Sequence, residues 1–206
     1  MKIWELRSSS DNYKSFQLLN YKEDKKFFEG KFNSTIKLKD SWRKLPIECL
    51  EEGKASDFPQ FWGEIGALMV SEKAKALLEP SIGDNVEFLP LLCDSTSEVY
   101  YLVHVLNVLD AIDSDKAIFK KLITGLIIGC EKFAFNSNTV QNEMIFKVYI
   151  NGKIHPTAVF ISDELKNLIE QSDLKGFEFI EVWDSEELSQ INSKIINGPD
   201  KFTIKT

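Results

Sequence analysis

Two stretches of this chain repeat one another, and that most limits what it can fold into. Val70–Leu91 (VSEKAKALLEPSIGDNVEFLPL) aligns without a gap on Ile161–Val182 (ISDELKNLIEQSDLKGFEFIEV) at an offset of 91. Seven positions are identical: Ser71 with Ser162, Lys75 with Lys166, Leu77 with Leu168, Glu79 with Glu170, Ser81 with Ser172, Glu87 with Glu178 and Phe88 with Phe179. A repeat of this length is one supersecondary unit used twice, the alternative being a chance likeness between two common units. Each copy reads as strand, short helix, strand. ALMV at Ala67–Val70 and AVFI at Ala158–Ile161 are apolar enough for buried strands. Ser71 and Ser162 are then helix N-caps whose hydroxyls accept a backbone N–H of the first turn, with Glu72 and Asp163 against the positive helix end. Ala74, Leu77 and Leu78, like Leu165, Leu168 and Ile169, give the i, i+3, i+4 stripe of a core-facing helix. A loop carrying Gly83 or Gly176 leads to the second strand, VEFLPL or FEFIEV.

Around these units Lys2–Leu6 reads as an opening strand, and Val99–Leu109 (VYYLVHVLNVL), apolar on both faces, as a central strand. Glu131–Phe135 and Ile145–Ile150 read as further strands, and Asn151-Gly152 is a hairpin turn signal. Long strands with few short helices predict an α+β fold with a mixed sheet. No linker rich in Pro, Gly or Ser divides residues 1–206, so a single domain is expected.

Chemistry is sparse in this chain. The net charge of −7 argues against a phosphate-backbone binder. The opening MKIWELRSSS lacks a signal-peptide core, and the most apolar stretch, Leu122–Cys130, is about half the length that spans a bilayer. Gly125 and Gly129 flank its LII, read as sheet or loop packing. Cys49, Cys93 and Cys130 form no C-x-x-C and read as reduced thiols that act as small buried hydrophobes. Phosphate-binding glycine loops, nucleophile elbows and zinc signatures are absent. His104, inside an apolar strand, reads as a hydrogen-bonded core imidazole, and His155, before Pro156, as a packing or surface residue. Asp110, Asp113 and Asp115 read as solvated loop acids, the alternative being the divalent-metal site of a hydrolase. No catalytic residue, metal ligand or cofactor site is therefore assigned.

Charge is uneven in one place. From Asp163 to Glu187 nine acids face only Lys166 and Lys175, a net −7. Trp183, Asp184, Glu186 and Glu187 are the candidate partner-binding residues, because aromatic groups anchor interfaces and acids steer encounter with a basic partner. The alternative is a solvated acidic face.

The opening MKIWEL, the DFP of Asp57–Pro59, VSEKAKALLE with VEFLPL, YYLVHVLNVLDAID, and ISDELKNLIE with GFEFIEVWDSEE follow one another in an order and spacing that resemble a known family. It is the eleventh-numbered immunity-protein family of bacterial polymorphic toxin systems. The resemblance implies a cytoplasmic, non-enzymatic protein that binds and neutralises a cognate toxin, with a basic toxin suiting the acidity. It brings no catalytic residues with it. A self-associating structural or regulatory module is the remaining alternative, and the oligomeric state is left open.

Overall fold

The computed structural model describes residues 1–186 apart from Ser10, Phe28 and Ile65. The first half runs through β1 (Lys2–Ser8), β2 (Ser15–Leu18), the short helix α1 (Tyr21–Asp24), β3 (Leu45–Glu51), β4 (Gln60–Phe61), β5 (Leu68–Ser71), helix α2 (Glu72–Ile82), β6 (Val86–Cys93) and β7 (Val99–Val105). The second continues with β8 (Val108–Leu109), β9 (Ile118–Lys121), β10 (Ile127–Lys132), α3 (Ser137–Val140), β11 (Ile145–Ile150), β12 (Lys153–Ile154), β13 (Phe160–Ser162), α4 (Asp163–Glu170) and β14 (Phe177–Asp184). One sheet has the order β12-β11-β13-β1-β14, with β8 pairing β11. The other has the order β4-β2-β3-β6-β7-β5 and curls until its ends, β4 and β5, touch. Two mixed sheets with short helices make this an α+β fold, as predicted.

Both repeats form strand, helix, strand, and the likeness goes deeper than the aligned residues. In the first, β5 and β6 each pair antiparallel with β7 between them, whereas in the second β13 and β14 each pair antiparallel with β1. Ser71 lies opposite Tyr100 and Phe88 opposite Val103; Ser162 lies opposite Ile3 and Phe179 opposite Leu6. The middle strand therefore follows its unit in one copy and comes from the start of the chain in the other. Side chains obey the same equivalence. The Tyr101 hydroxyl donates to Glu72, and Trp4 Nε1 donates to Asp163 Oδ1 at 2.8 Å. Lys75 lies over Phe88 and Tyr101 and pairs with Glu79 at 2.6 Å, while Lys166 lies over Trp4 and Phe179 and pairs with Glu170 at 2.6 Å. Four of the seven identities in the sequence are thus a cap, a cation–π platform and an i, i+4 ion pair, kept twice.

Burial follows from this arrangement. The inward stripes of α2 (Ala74, Leu78, Ile82) and α4 (Leu165, Ile169) share one cluster with Val70, Val103 and Ile161, so the helices are packed where the two sheets meet. A second cluster, including Leu89, Leu91 and Leu102, fills the curled sheet. A third, including Ile3, Phe135, Phe146, Phe160 and Trp183, covers the opposite face of the first sheet. The DFP segment latches the two units together. Asp57 accepts the Ser71 hydroxyl at 2.7 Å and the Lys175 N–H at 2.9 Å, and the Phe58 ring stacks on Phe177 with centroids 4.5 Å apart.

Ser71 and Ser162 both cap, accepting the N–H groups of Ala74 (3.1 Å) and Leu165 (3.3 Å). Ser162→Ala is expected to cost about 1 kcal/mol. Ser71→Ala is expected to cost about 2 kcal/mol, because it also removes a donor from Asp57. Urea denaturation of the two variants tests this; equal losses would mean that the Asp57 latch contributes nothing.

Two segments depart from expectation. The apolar run Val99–Leu109 is two strands in different sheets: the backbone N–H groups of Leu106 and Asn107 both turn to Asn85 O, and β8 then joins β11. The strand expected at Glu131–Phe135 ends at Lys132, and the remaining aromatic residues turn into the third cluster. Ile145–Ile150 is a strand as expected, and Asn151 and Gly152, both at positive φ (53° and 70°), form the tight turn to β12.

Polar groups buried at the meeting of the two sheets hold residues 32–39 in place. His104, fully buried, donates from Nε2 to Ser34 O at 3.0 Å and turns Nδ1 to Glu87. Glu87 in turn accepts the N–H groups of Leu38 (2.6 Å) and Lys39 (3.2 Å). Lys147 of β11 reaches the same segment from the other sheet, its Nζ donating to Phe32 O at 3.0 Å. His104 is thus the hydrogen-bonded core imidazole read from the sequence.

Candidate partner-binding surfaces

Among the described residues β14 is an edge strand of the first sheet, and its Glu178 and Glu181 are exposed. Much of the acidity counted in the sequence is locally paired. Asp173 meets Lys73 at 2.7 Å, Glu170 meets Lys166 and Glu181 meets Lys2 at 2.6 Å, and Asp184 lies 3.8 Å from Lys2 and 4.0 Å from the N-terminal ammonium. The Lys73 ammonium holds the Asp173 carboxyl below its ordinary value. The Glu186 N–H donates to Asp184 Oδ1, and Glu187 lies outside the described residues.

Trp183 is 6% exposed, packed edge-on to Phe135 in the third cluster. Strict alternation along FEFIEVWD would put it on the helix-facing side. A register shift opposite Ile3 and Trp4 turns Trp183 to the other face, the one Val182 already occupies, as a β-bulge does. The tryptophan therefore braces the packing behind the acids, and the acids carry the outward surface.

A second surface escaped the sequence reading. β9 and β10 pair with each other and with no other described strand, forming a hairpin that leaves the body of the protein. Phe119, Ile127 and Cys130 pack down onto the third cluster, the one that holds Trp183. The rest points outward: Ile118 (52%), Leu122 (47%), Leu126 (54%) and Ile128 (48%) are each about half exposed, and Ile123 is fully exposed. The stretch read as packing is thus largely a projecting surface. Its turn closes by Gly125 N–H to Leu122 O (2.8 Å) and Leu122 N–H to Leu126 O (2.9 Å), with Gly125 at φ +82°. Lys120 and Lys121 flank the turn, both exposed. The available signal was chemical: turn geometry asks for Gly125 and for polar residues at the two central positions, not for an isoleucine.

A groove of about 760 Å³ lies elsewhere, beside β1 and the segment after β4. Exposed Trp62 and Tyr21 stand at it, and Arg7 grips Glu5 within it through two 2.8 Å hydrogen bonds.

Asp113, one of the loop acids read from the sequence, is engaged in local structure. Asp113 accepts from Lys116 at 2.7 Å and from the Asp115 N–H at 3.2 Å, and the lysine lowers its pKa. Among the described residues no three His, Cys, Asp or Glu side chains are placed to hold a metal ion together. His155 is half-buried beside Phe133, which lowers its pKa. The three thiols are free; Cys93 is buried as expected, while Cys49 and Cys130 are partly exposed.

Acids along an edge strand and apolar groups on a projecting hairpin are the equipment of a protein that works by contact. A family model for the Immunity protein family (Imm11) matches residues 15–184, and the chain belongs to that family. The match runs from β2 to the end of β14. A search of curated proteins gives no match.

Proposed function

We propose that this chain is a non-catalytic immunity protein of a bacterial polymorphic toxin system, which binds its cognate toxin domain in the cytoplasm and blocks it by contact. Family membership over residues 15–184 carries the reading. The outward acids support it, since carboxylates at an interface rim raise the encounter rate with a basic surface. In this reading Asp184, Glu186 and Glu187 steer, and Trp183 supports them from inside.

The test is co-expression with a candidate toxin domain from a neighbouring gene: growth should be rescued, and the two chains should co-purify. Toxicity that persists beside abundant folded chain would end the reading. In purified components, Glu186→Lys/Glu187→Lys should slow association about threefold to tenfold at low salt and flatten its salt dependence. The melting temperature should hardly change, because exposed charges contribute little to stability. An unaltered rate and salt slope would make the acids a solvated face only.

A further inference from the structure

The hairpin of β9 and β10 is harder to explain by folding than any other surface of the described residues. Its turn needs Gly125 for the left-handed position and little else, and polar residues at Ile123 and Thr124 would close it as well. Yet the chain places Leu122, Ile123 and Leu126 there, all exposed. Clustered exposed apolar groups mark a contact that is completed by another molecule. Charge narrows what that molecule is. From Ile118 to Lys132 the hairpin carries three lysines and one acid, Glu131, a net +2 on a chain of −7.

We propose that this hairpin is the principal docking arm for the toxin, its tip of Leu122, Ile123 and Leu126 seated in an apolar recess whose rim is acidic and meets Lys120 and Lys121. The proposal rests on the immunity reading above and goes beyond it by naming the surface and the chemistry of its counterpart. A two-fold contact between two copies through their hairpins is disfavoured, because it would bring together two arms of the same positive sign. An anionic bilayer is disfavoured by the net charge of the whole chain. The arm is positive and the strand edge near its base is negative, so the two surfaces address different parts of the toxin, and alternating signs fix the register of an interface.

The experiment compares the parent chain, Leu122→Ser/Ile123→Asn/Leu126→Thr and Lys120→Glu/Lys121→Glu for binding to that candidate toxin domain. Melting temperature, light scattering, and sedimentation with phosphatidylserine-containing vesicles are recorded for each. The apolar triple variant should bind at least about a hundredfold more weakly, mainly through faster dissociation, with an unchanged melting temperature. The charge variant should associate about tenfold more slowly at low salt. Two variants that stay folded and bind like the parent would overturn the proposal and leave the immunity reading standing. A triple variant that loses only dimerisation, or only vesicle binding, while keeping its affinity for the toxin would overturn it in the same way. A parent chain that does not bind the toxin at all overturns both.

Discussion

Removal of residues 1–8 is expected to abolish cooperative folding. β1 is the interior strand on which both β13 and β14 form, so without it the second repeat has no middle strand. Ile3 is fully buried and Leu6 is 5% exposed, and truncating two such side chains alone costs about 4–10 kcal/mol. That approaches the whole stability of a domain, about 5–15 kcal/mol. The indole of Trp4, which holds Asp163 and lies under Lys166, would be lost as well. Urea titration followed by circular dichroism is the measurement. A truncated chain with a transition close to that of the parent would show that the sheet closes without β1.

The second large effect is on the pH dependence of stability, through Lys147. It is 1% exposed, and burial pushes its pKa down from 10.5 to about 8, against a partly opposing attraction from Glu64. The unfolded side chain titrates near 10.5, so between about pH 8 and 10.5 the unfolded chain holds the additional proton. Stability must then rise with pH across that window, by up to about 3 kcal/mol for the full shift. From pH 10 upward two tyrosines act in the opposite sense. Burial raises Tyr100 strongly and, with Glu72, raises Tyr101 to about 12, so both favour the folded state fully below pH 10 and progressively less above it. The rise should therefore be read between pH 7.5 and 9.5, by urea denaturation at several pH values. Lys147→Met should flatten it. A variant profile that rises as steeply as the parent's would assign the effect to another group.

How much of this was legible in the chain depends on the range over which each feature is determined. Ser71 and Ser162, the stripe of α4 and the Asn151-Gly152 turn are fixed by neighbours within a few residues, and they fold as read, whereas in α2 Ile82 takes the core place read for Leu77. The repeat also carried information about tertiary structure, since Lys75, Phe88 and Tyr101 meet in the way that Lys166, Phe179 and Trp4 do. Insertion of β1 into the second unit was hidden, because the partners are separated by most of the chain and no periodicity reports long-range pairing. The register shift that turns Trp183 inward was hidden for a related reason: a bulge inserts one residue without a composition signal of its own. Lys147 in IFKVYI reads as the polar member of an alternating strand, and only the approach of Phe32 O from elsewhere makes it a buried donor. The hairpin was missed through an assumption about environment, because an apolar run looks the same whether it faces a core or a partner.

The origin of the second unit's middle strand also sets a timetable. On the ribosome β1 is made first, but its partners β13 and β14 end at Ser162 and Asp184. At about 5–20 residues per second, ~10–35 s pass before β14 has been synthesised, and release from the exit tunnel comes later still. The first repeat has no such wait, since β7 follows it directly. Its sheet is free to assemble during translation, while an apolar amino-terminal segment stays without its strand partners until the carboxy-terminal third emerges. Refolding from denaturant, where all residues are present at once, is a different problem from birth at the ribosome, and the sheet built on β1 is the part of this protein for which a chaperone would matter most.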